Sequence, residues 1–301
     1  QPAMLAADVA ILRLLAEHGV VPDMVGGHSL GEYAALVAAG VLSFADALTA
    51  VSARGKEMAN VHVEDKGLMA SFSCGPEQAE GILRDVQGYV VAANKNCPVQ
   101  TVVAGDTPSV KKAMELAQAK GVETMLLPVS AAFHTSIVAP ASAPLRRVLE
   151  RLEFRAPSIT VFTNVDATPY PNDPAAIRDI LAKQVAAPVE WVKEMDAMVA
   201  AGARVFIEVG PKRALAGFVD ATYGKARPDI MALLTNHPKT GDLPTFYACL
   251  AKLAANGFEL RFAEPTPQPA GPLPMPAPAQ ARALAQASAL DGSYEAFRQM
   301  V

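Results

Sequence analysis

Apolar residues follow two patterns along the chain, and each pattern predicts a different element. Leu5, Val9, Leu12 and Leu15 are three or four residues apart, which predicts a helix with one apolar face. The next apolar run, residues 20–25, is short and continuous, which favours a buried strand. The chain therefore opens on a helix that is followed by a strand.

Between residues 66 and 129 the two patterns alternate in one order, β-α-β-β-α-β. The order is that of the ferredoxin-like arrangement. The predicted strands are 68–73, 89–93, 100–104 and 123–128, and the predicted helices are 76–86 and 108–119. We therefore predict a ferredoxin-like α+β subdomain at 66–129, inserted in a larger unit made of 1–65 and 130–262.

A candidate nucleophile lies where the first predicted strand meets the next helix. Gly27-His28-Ser29-Leu30-Gly31 matches G-x-S-x-G, the nucleophile elbow, in the strand-turn-helix context that this motif requires. The two glycines leave room for a sharp turn that presents the Ser29 hydroxyl at a helix N-terminus. The turn also directs the Leu30 backbone N–H at a developing oxyanion. The same five-residue pattern occurs in ordinary turns, so the motif needs support from elsewhere.

The larger unit repeats strand and helix in alternation. Such alternation predicts an α/β fold with a mainly parallel, hydrolase-like sheet. Its later strands are predicted at 158–164, 205–209 and 229–234, and its helices at 44–57, 139–152, 174–184, 191–201 and 243–256. Ser43 and Asp173 are the predicted N-caps of two of these helices.

Two further side chains are candidates for chemistry. Arg54 lies on an otherwise apolar helix, where an arginine most often lies exposed along its own helix. His134 follows a predicted strand in a loop, where catalytic side chains are commonly presented. Of the five histidines it has the setting best suited to a catalytic base.

Composition and charge exclude several classes of protein. The 301 residues carry a net charge of -4 and no basic stripe, which argues against a nucleic-acid partner. Cys74, Cys97 and Cys249 are widely spaced and have no neighbours at metal-ligand spacing, so we expect neither disulfides nor a metal site. A reducing, cytoplasmic location is the simplest inference. No apolar run reaches the length of a membrane span, and we expect no membrane association.

The last part of the chain differs in composition. Seven prolines fall between residues 265 and 278, in a segment with almost nothing able to pack. Such a segment is extended and semi-rigid. We therefore predict that 263–301 is a Pro/Ala-rich interdomain linker.

Taken together, these segments resemble the malonyl-CoA:acyl carrier protein acyltransferases. The family includes the acyltransferase domains of modular (type I) polyketide and fatty acid synthases, and the Pro-rich linker fits that setting. The resemblance covers about residues 1 to 262 and rests on Gly27 to Glu32, Arg54, Ala132-Phe133-His134, Asn164-Val165-Asp166, Gln184, Pro188 to Trp191 and Glu208 to Pro211.

The resemblance implies a ping-pong reaction. Ser29 would take the malonyl group from malonyl-CoA, with His134 as the base and the Leu30 N–H in the oxyanion hole. The group would then pass to the phosphopantetheine thiol of an acyl carrier protein. Gln184 would orient His134 through its backbone carbonyl. The expected partners are malonyl-CoA, the carrier protein and neighbouring synthase domains; no cofactor is expected to stay bound, since the partner carries the phosphopantetheine.

The resemblance also assigns substrate selectivity. Arg54 would hold the free carboxylate of the malonyl group, since a guanidinium forms two charge-assisted hydrogen bonds with a carboxylate. Phe133 and Leu30 match the malonyl-selecting pattern, in which bulk excludes an α-methyl group. Ala131 departs from the histidine that is more frequent there in the family.

One departure and two alternatives stay open. The family begins with a strand and a Gly-Gln-Gly-Ser-Gln turn that supplies a second oxyanion donor, and nothing in residues 1–26 matches it. Without that donor we expect weak or absent activity. The alternatives are a serine esterase or thioesterase of α/β-hydrolase type, and a non-catalytic scaffold domain of a synthase.

Overall fold

The computed structural model describes residues 1–262. The helices of this part are α1 Pro2–Glu17, α2 Gly31–Ala38, α3 Phe44–Ala59, α4 Pro76–Leu83, α5 Thr107–Ala119, α6 Ser142–Leu149, α7 Pro174–Gln184, α8 Trp191–Ala200, α9 Ala214–Tyr223 and α10 Asp242–Ala255. The strands are β1 Met24–Val25, β2 Leu68–Phe72, β3 Val90–Cys97, β4 Gln100–Gly105, β5 Thr124–Leu126, β6 Thr160–Val161, β7 Val205–Glu208 and β8 Met231–Leu234. None of these helices is long and apolar enough to cross a bilayer. The predicted linker at 263–301 lies outside the described residues.

An antiparallel sheet of four strands occupies the middle of the chain. Its strand order is β3-β4-β2-β5, and α4 and α5 pack against it. Apolar side chains lie on both faces of this sheet, and those on the helix side form one cluster with the helices. Its fully buried members include Ala70, Phe72, Val103, Val110 and Ala113.

The parallel pairing is divided between two separate two-stranded sheets. β1 pairs with β6, and β7 pairs with β8. Both pairings are parallel, as predicted, but within residues 1–262 they form two separate pairs and not one continuous sheet. The predicted strand at 20–25 is reduced to two residues, and the Val21 side chain that precedes them is 76% exposed. A cavity of about 660 Å³ lies between β1 and β7.

The largest apolar core holds α1, α2, α3, α6 and α7 together. Tyr33, Leu36, Leu145 and Ile177 are fully buried in it. Burying a large apolar side chain stabilises a fold by about 1.5–3 kcal/mol, so these residues fix how the helices pack around the β1–α2 turn. The predicted cap at Ser43 is confirmed, since its hydroxyl accepts a 3.0 Å hydrogen bond from the Asp46 backbone N–H.

The antiparallel sheet meets the rest of the molecule along β3. The Lys95 N–H donates to the Val189 carbonyl at 2.9 Å, and the Val189 N–H donates to the Ala93 carbonyl at 2.8 Å. The Lys95 ammonium also pairs with Glu80 and Glu190, each at 2.9 Å. These contacts fix the segment before α8 that borders the predicted site.

Candidate active site

The β1–α2 turn places Ser29 in a conformation that few residues adopt. Ser29 has a φ of +53°, in the left-handed region that disfavours residues with a side chain. Gly27 is required beside it, because a Cβ there would collide with the backbone of Gly31 and Glu32. A Cβ at Gly31 would meet nothing within 4 Å, so the expectation that both glycines make room holds for Gly27 alone.

The structure brings Ser29 and His134 together. The Ser29 Oγ lies 2.7 Å from His134 Nε2, and His134 is buried. The other ring nitrogen, Nδ1, lies 3.0 Å from the Ala187 carbonyl and 3.2 Å from the Gln184 carbonyl. Since carbonyls only accept, Nδ1 carries the proton. Nε2 is therefore free to accept the hydroxyl proton of Ser29.

The surroundings of His134 keep it neutral. Burial, followed by the charge of Arg54, lowers its pKa from 6.5 to about 3. At neutral pH the ring is therefore uncharged, and its Nε2 is able to act as a base.

Gln184 touches the site through both its backbone and its side chain. It is the last residue of α7, where the predicted helix 174–184 also ends. Carbonyls in a last helical turn have no partner within the helix, which leaves its carbonyl available to His134. Its amide Nε2 donates to the Ser29 carbonyl at 2.6 Å and to Glu32 Oε2 at 2.5 Å. Nothing in the sequence pattern indicates these side-chain contacts, and the Ala187 carbonyl cannot be singled out because every residue has a carbonyl.

Arg54 is buried and directed at the nucleophile. Its Nη2 lies 3.0 Å from Ser29 Oγ and 3.4 Å from Gln184 Oε1, and its Nη1 donates to Gln1 Oε1 at 2.9 Å. The side chain is only 3% exposed, so the interpretation as an arginine lying exposed along its helix is wrong. Burial lowers the pKa of the guanidinium. A buried cation beside Ser29 creates a place for an anionic group.

Leu30 and Phe133 flank the two central residues. Leu30 is the N-cap residue of α2, where the backbone N–H groups of the first turn have no partner within the helix. Both side chains are half-buried and pack against the same apolar core.

A layer of buried polar groups, to which the sequence patterns assign no role, lies behind the turn. Glu32 accepts hydrogen bonds from the Tyr170 hydroxyl at 2.6 Å and from Gln184. Asn164 donates to Glu194 Oε2 at 2.7 Å. Burial raises the pKa of Glu32 to about 7 and that of Glu194 well above its usual range. The acids of helices usually face solvent, and only the three-dimensional packing shows these two to be internal.

Residues 1–259 match the family model described as the acyl transferase domain. The chain belongs to the acyl transferase domain family. A member from Escherichia coli O157:H7, a malonyl CoA-acyl carrier protein transacylase, is 40% identical over 222 residues, which cover 72% of each chain.

Solved structures extend this family assignment. The acyltransferase domain from the second module of the salinomycin polyketide synthase is 30% identical with a TM-score of 0.77; the match covers 86% of this chain and 60% of that one. A second structure is that of a type II polyketide synthase acyl-carrier protein in complex with its malonyl-transacylase. It contains a chain that matches at 32% identity and a TM-score of 0.75, and the match covers 83% of this chain and 80% of that one. The α/β fold is therefore that of known acyltransferases.

Proposed function

We propose that this chain transfers a malonyl group from malonyl-CoA to the phosphopantetheine thiol of an acyl carrier protein. The observation that carries the proposal is the joint position of three side chains. Ser29 Oγ lies 2.7 Å from a neutral histidine and 3.0 Å from a buried guanidinium. A base and a carboxylate receptor thus each lie within one hydrogen bond of the nucleophile.

The first half-reaction loads Ser29. His134 Nε2 takes the hydroxyl proton as Ser29 Oγ bonds to the thioester carbon, and the carbonyl oxygen becomes an oxyanion near the Leu30 N–H. The C–S bond then breaks, and the sulfur of CoA takes the proton from His134. The Ala187 and Gln184 carbonyls stabilise the transient imidazolium in place of a carboxylate.

The second half-reaction unloads Ser29 by the reverse route. The phosphopantetheine thiol gives its proton to His134, and its sulfur bonds to the ester carbon. The bond to Ser29 Oγ breaks, and this oxygen takes the proton back. The relatives named transacylase and the structure with a bound carrier protein support this thiol, and not water, as the acceptor of the malonyl group.

Arg54 selects the acyl group by its carboxylate. Its Nη1 and Nη2 present a fork that binds a carboxylate in two parallel hydrogen bonds. Malonyl binding would redirect this fork from Gln1 and Ser29 to the substrate. Phe133 and Leu30, half-buried beside the site, would exclude an α-methyl group, a discrimination of about 1–3 kcal/mol.

The proposed domain organisation follows the element order. Residues 66–129 are assigned to a ferredoxin-like subdomain, supported by the sheet order β3-β4-β2-β5 with α4 and α5 packed against it. Residues 1–65 and 130–262 are assigned to the hydrolase-like subdomain that carries Ser29 and His134. Residues 263–301 are assigned to a linker toward neighbouring synthase domains, on composition alone.

The decisive experiment is a two-stage mass measurement on the intact protein. Long exposure to malonyl-CoA is expected to add one malonyl group at Ser29, slowly because a second oxyanion donor is not matched in residues 1–26, and holo carrier protein is then expected to remove the group and gain its mass. Release of free malonate without gain by the carrier would identify a thioesterase. Absence of any adduct would identify a scaffold domain.

A further inference from the structure

A distant side chain binds the backbone of the nucleophile turn at two points. The Ser29 N–H donates to Asn164 Oδ1 at 2.5 Å, and Asn164 Nδ2 donates to the Gly27 carbonyl at 2.7 Å. One amide therefore binds the chain on both sides of His28. This contact joins residues that are 135 positions apart in the sequence.

The turn needs such support because its conformation is strained. A residue with a side chain pays a cost for a φ of +53°, and it keeps that conformation only where the surroundings enforce it. A relaxed Ser29 would rotate its Oγ away from His134. The hydrogen bonds to the backbone at 27 and 29 therefore bear directly on the position of the hydroxyl.

Asn164 is itself fixed from two sides. It is fully buried, its Nδ2 donates also to Glu194 Oε2 at 2.7 Å, and its backbone N–H donates to Glu32 Oε1 at 3.3 Å. The two hydrogens of the Nδ2 group thus bind the Gly27 carbonyl and Glu194, while Oδ1 accepts from the Ser29 N–H. A flipped amide would place its oxygen against two other oxygens, so only one orientation is stable.

We infer that Asn164, held between Glu32 and Glu194, is a positioning residue that keeps Ser29 in its nucleophilic conformation. The inference rests on the proposed role of Ser29 as the nucleophile. Asn164 makes no contact with the hydroxyl or with His134 among the described hydrogen bonds, so it acts through the backbone.

The two acids around Asn164, Glu32 and Glu194, make the effect of an Asp at position 164 depend on pH. Glu32 and Glu194 face one another across Asn164, and Arg54, Tyr33 and Tyr170 are the other titratable groups that act on them. A third acid at position 164 would share this space with two buried carboxyl groups. Its effect would therefore depend on pH.

The test measures how fast Ser29 reacts with a fluorophosphonate probe. In this reaction Ser29 Oγ bonds to phosphorus, fluoride leaves, and His134 takes the proton. The probe reports activation of the serine whatever its natural acyl donor, so a failure of the malonyl assignment and a failure of this inference are distinguishable. The labelled site is confirmed by peptide mass spectrometry.

Asn164→Asp keeps the shape and the Oδ1 acceptor but replaces the donor with an oxygen. Labelling is expected to fall by about tenfold to a hundredfold at pH 8, since small displacements of reacting groups cost this much. The deficit should shrink as the pH is lowered, because a protonated Asp can donate again to one acceptor. Rates are compared with the unsubstituted protein at each pH, which cancels the titration of His134.

The double variant Asn164→Asp/Glu194→Gln reverses the polarity of one hydrogen bond. The Gln amide can donate to the new Asp, so labelling is expected to recover by at least about threefold over Asn164→Asp. Thr101→Val is the control, since it removes a buried 3.0 Å hydrogen bond to the Cys74 carbonyl in the antiparallel sheet. It should label at the unsubstituted rate.

The outcomes decide the question in either direction. Slow labelling by Asn164→Asp with recovery at low pH or in the double variant supports positioning. Equal rates in the folded single variant, or an equal loss in Thr101→Val, would overturn it. If Asn164→Asp does not fold, Asn164→Ala is measured in its place, and a rate equal to that of the unsubstituted protein would likewise contradict the inference.

Discussion

The antiparallel sheet and the nucleophile turn satisfy their backbone polar groups in opposite ways. In the sheet, β2, β3, β4 and β5 pair through neighbouring backbone groups of one continuous stretch of chain. At the turn, the N–H and carbonyl of Ser29 bind the side chains of Asn164 and Gln184. Apart from its hydrogen bonds with Val189, the sheet is thus formed within one stretch of chain, whereas the turn also depends on distant residues. Substitutions should therefore affect stability in the first region and chemistry in the second.

Ser29→Ala tests the chemical side of this contrast with the largest expected effect. Removing a catalytic serine lowers turnover by roughly 10⁶-fold in other serine enzymes, and the malonyl adduct should vanish. Ser71→Ala, on β2, is the matched control and should retain the adduct. The measurement is the intact mass after exposure to malonyl-CoA. An adduct of normal size on the Ser29→Ala protein would refute the assignment.

Arg54→Ala tests the charge that faces the serine. The loss of one partner of a buried ion pair costs roughly 2–5 kcal/mol, so malonyl loading should slow by about thirtyfold to several thousandfold. Acetyl loading should not slow to the same degree, because acetyl has no carboxylate. Arg178→Ala provides a control, since Arg178 bonds the Leu149 and Leu152 carbonyls instead. Equal slowing of both acyl groups would contradict carboxylate recognition.

Asp8→Asn tests how buried acids set the pH dependence of stability. Burial and the neighbouring Glu208 raise the pKa of Asp8 from 3.8 to about 7. Between these pH values the folded state keeps a proton that the unfolded state releases, so the free energy of unfolding falls as the pH rises. Asn cannot ionise. Between pH 5 and pH 8 the free energy of unfolding of the variant should therefore fall by about 2 kcal/mol less than that of the unsubstituted protein.

Urea unfolding at several pH values measures that difference. Asp46→Asn serves as the control, because Asp46 is not buried among acids but bonds the exposed cap residue Ser43. Parallel stability curves for Asp8→Asn and the unsubstituted protein would show that Asp8 ionises normally.

Ile82→Val tests the structural side with the smallest expected effect. Ile82 is buried on α4 against the antiparallel sheet, and the loss of one methylene typically costs 0.5–1.5 kcal/mol, or about 1 kcal/mol here. The rate of Ser29 labelling should stay unchanged. A slower rate in the folded variant would show that the sheet and the turn are coupled more closely than their hydrogen bonds indicate.

The features that sequence predicted well are those decided by near neighbours. Ser43 and Asp173 cap their helices as expected, since a cap contacts backbone groups two or three residues away. The six elements of residues 66–129 follow the predicted order for the same reason, with β3 running on to Cys97. Ser29 and His134 were found because a short motif and a loop position carry them.

The features that sequence did not predict depend on distant packing. Val21 is exposed although its run is apolar, because β1 pairs with β6 over only two residues. Glu32 and Glu194 look like solvated helix positions, and only the folded chain buries them beside Asn164. The position of the Arg54 head group, inside the site and not along its helix, likewise follows from contacts with Ser29 and Gln184.

The most direct test of the whole account is a competition between malonyl-CoA and acetyl-CoA for Ser29. Equal concentrations are mixed with the protein, and the two adducts are separated by mass at the labelled peptide. Because a buried guanidinium lies 3.0 Å from the Ser29 hydroxyl, we predict that malonyl-Ser29 dominates and that Arg54→Ala removes the preference. Equal amounts of the two adducts in the unsubstituted protein would contradict the account.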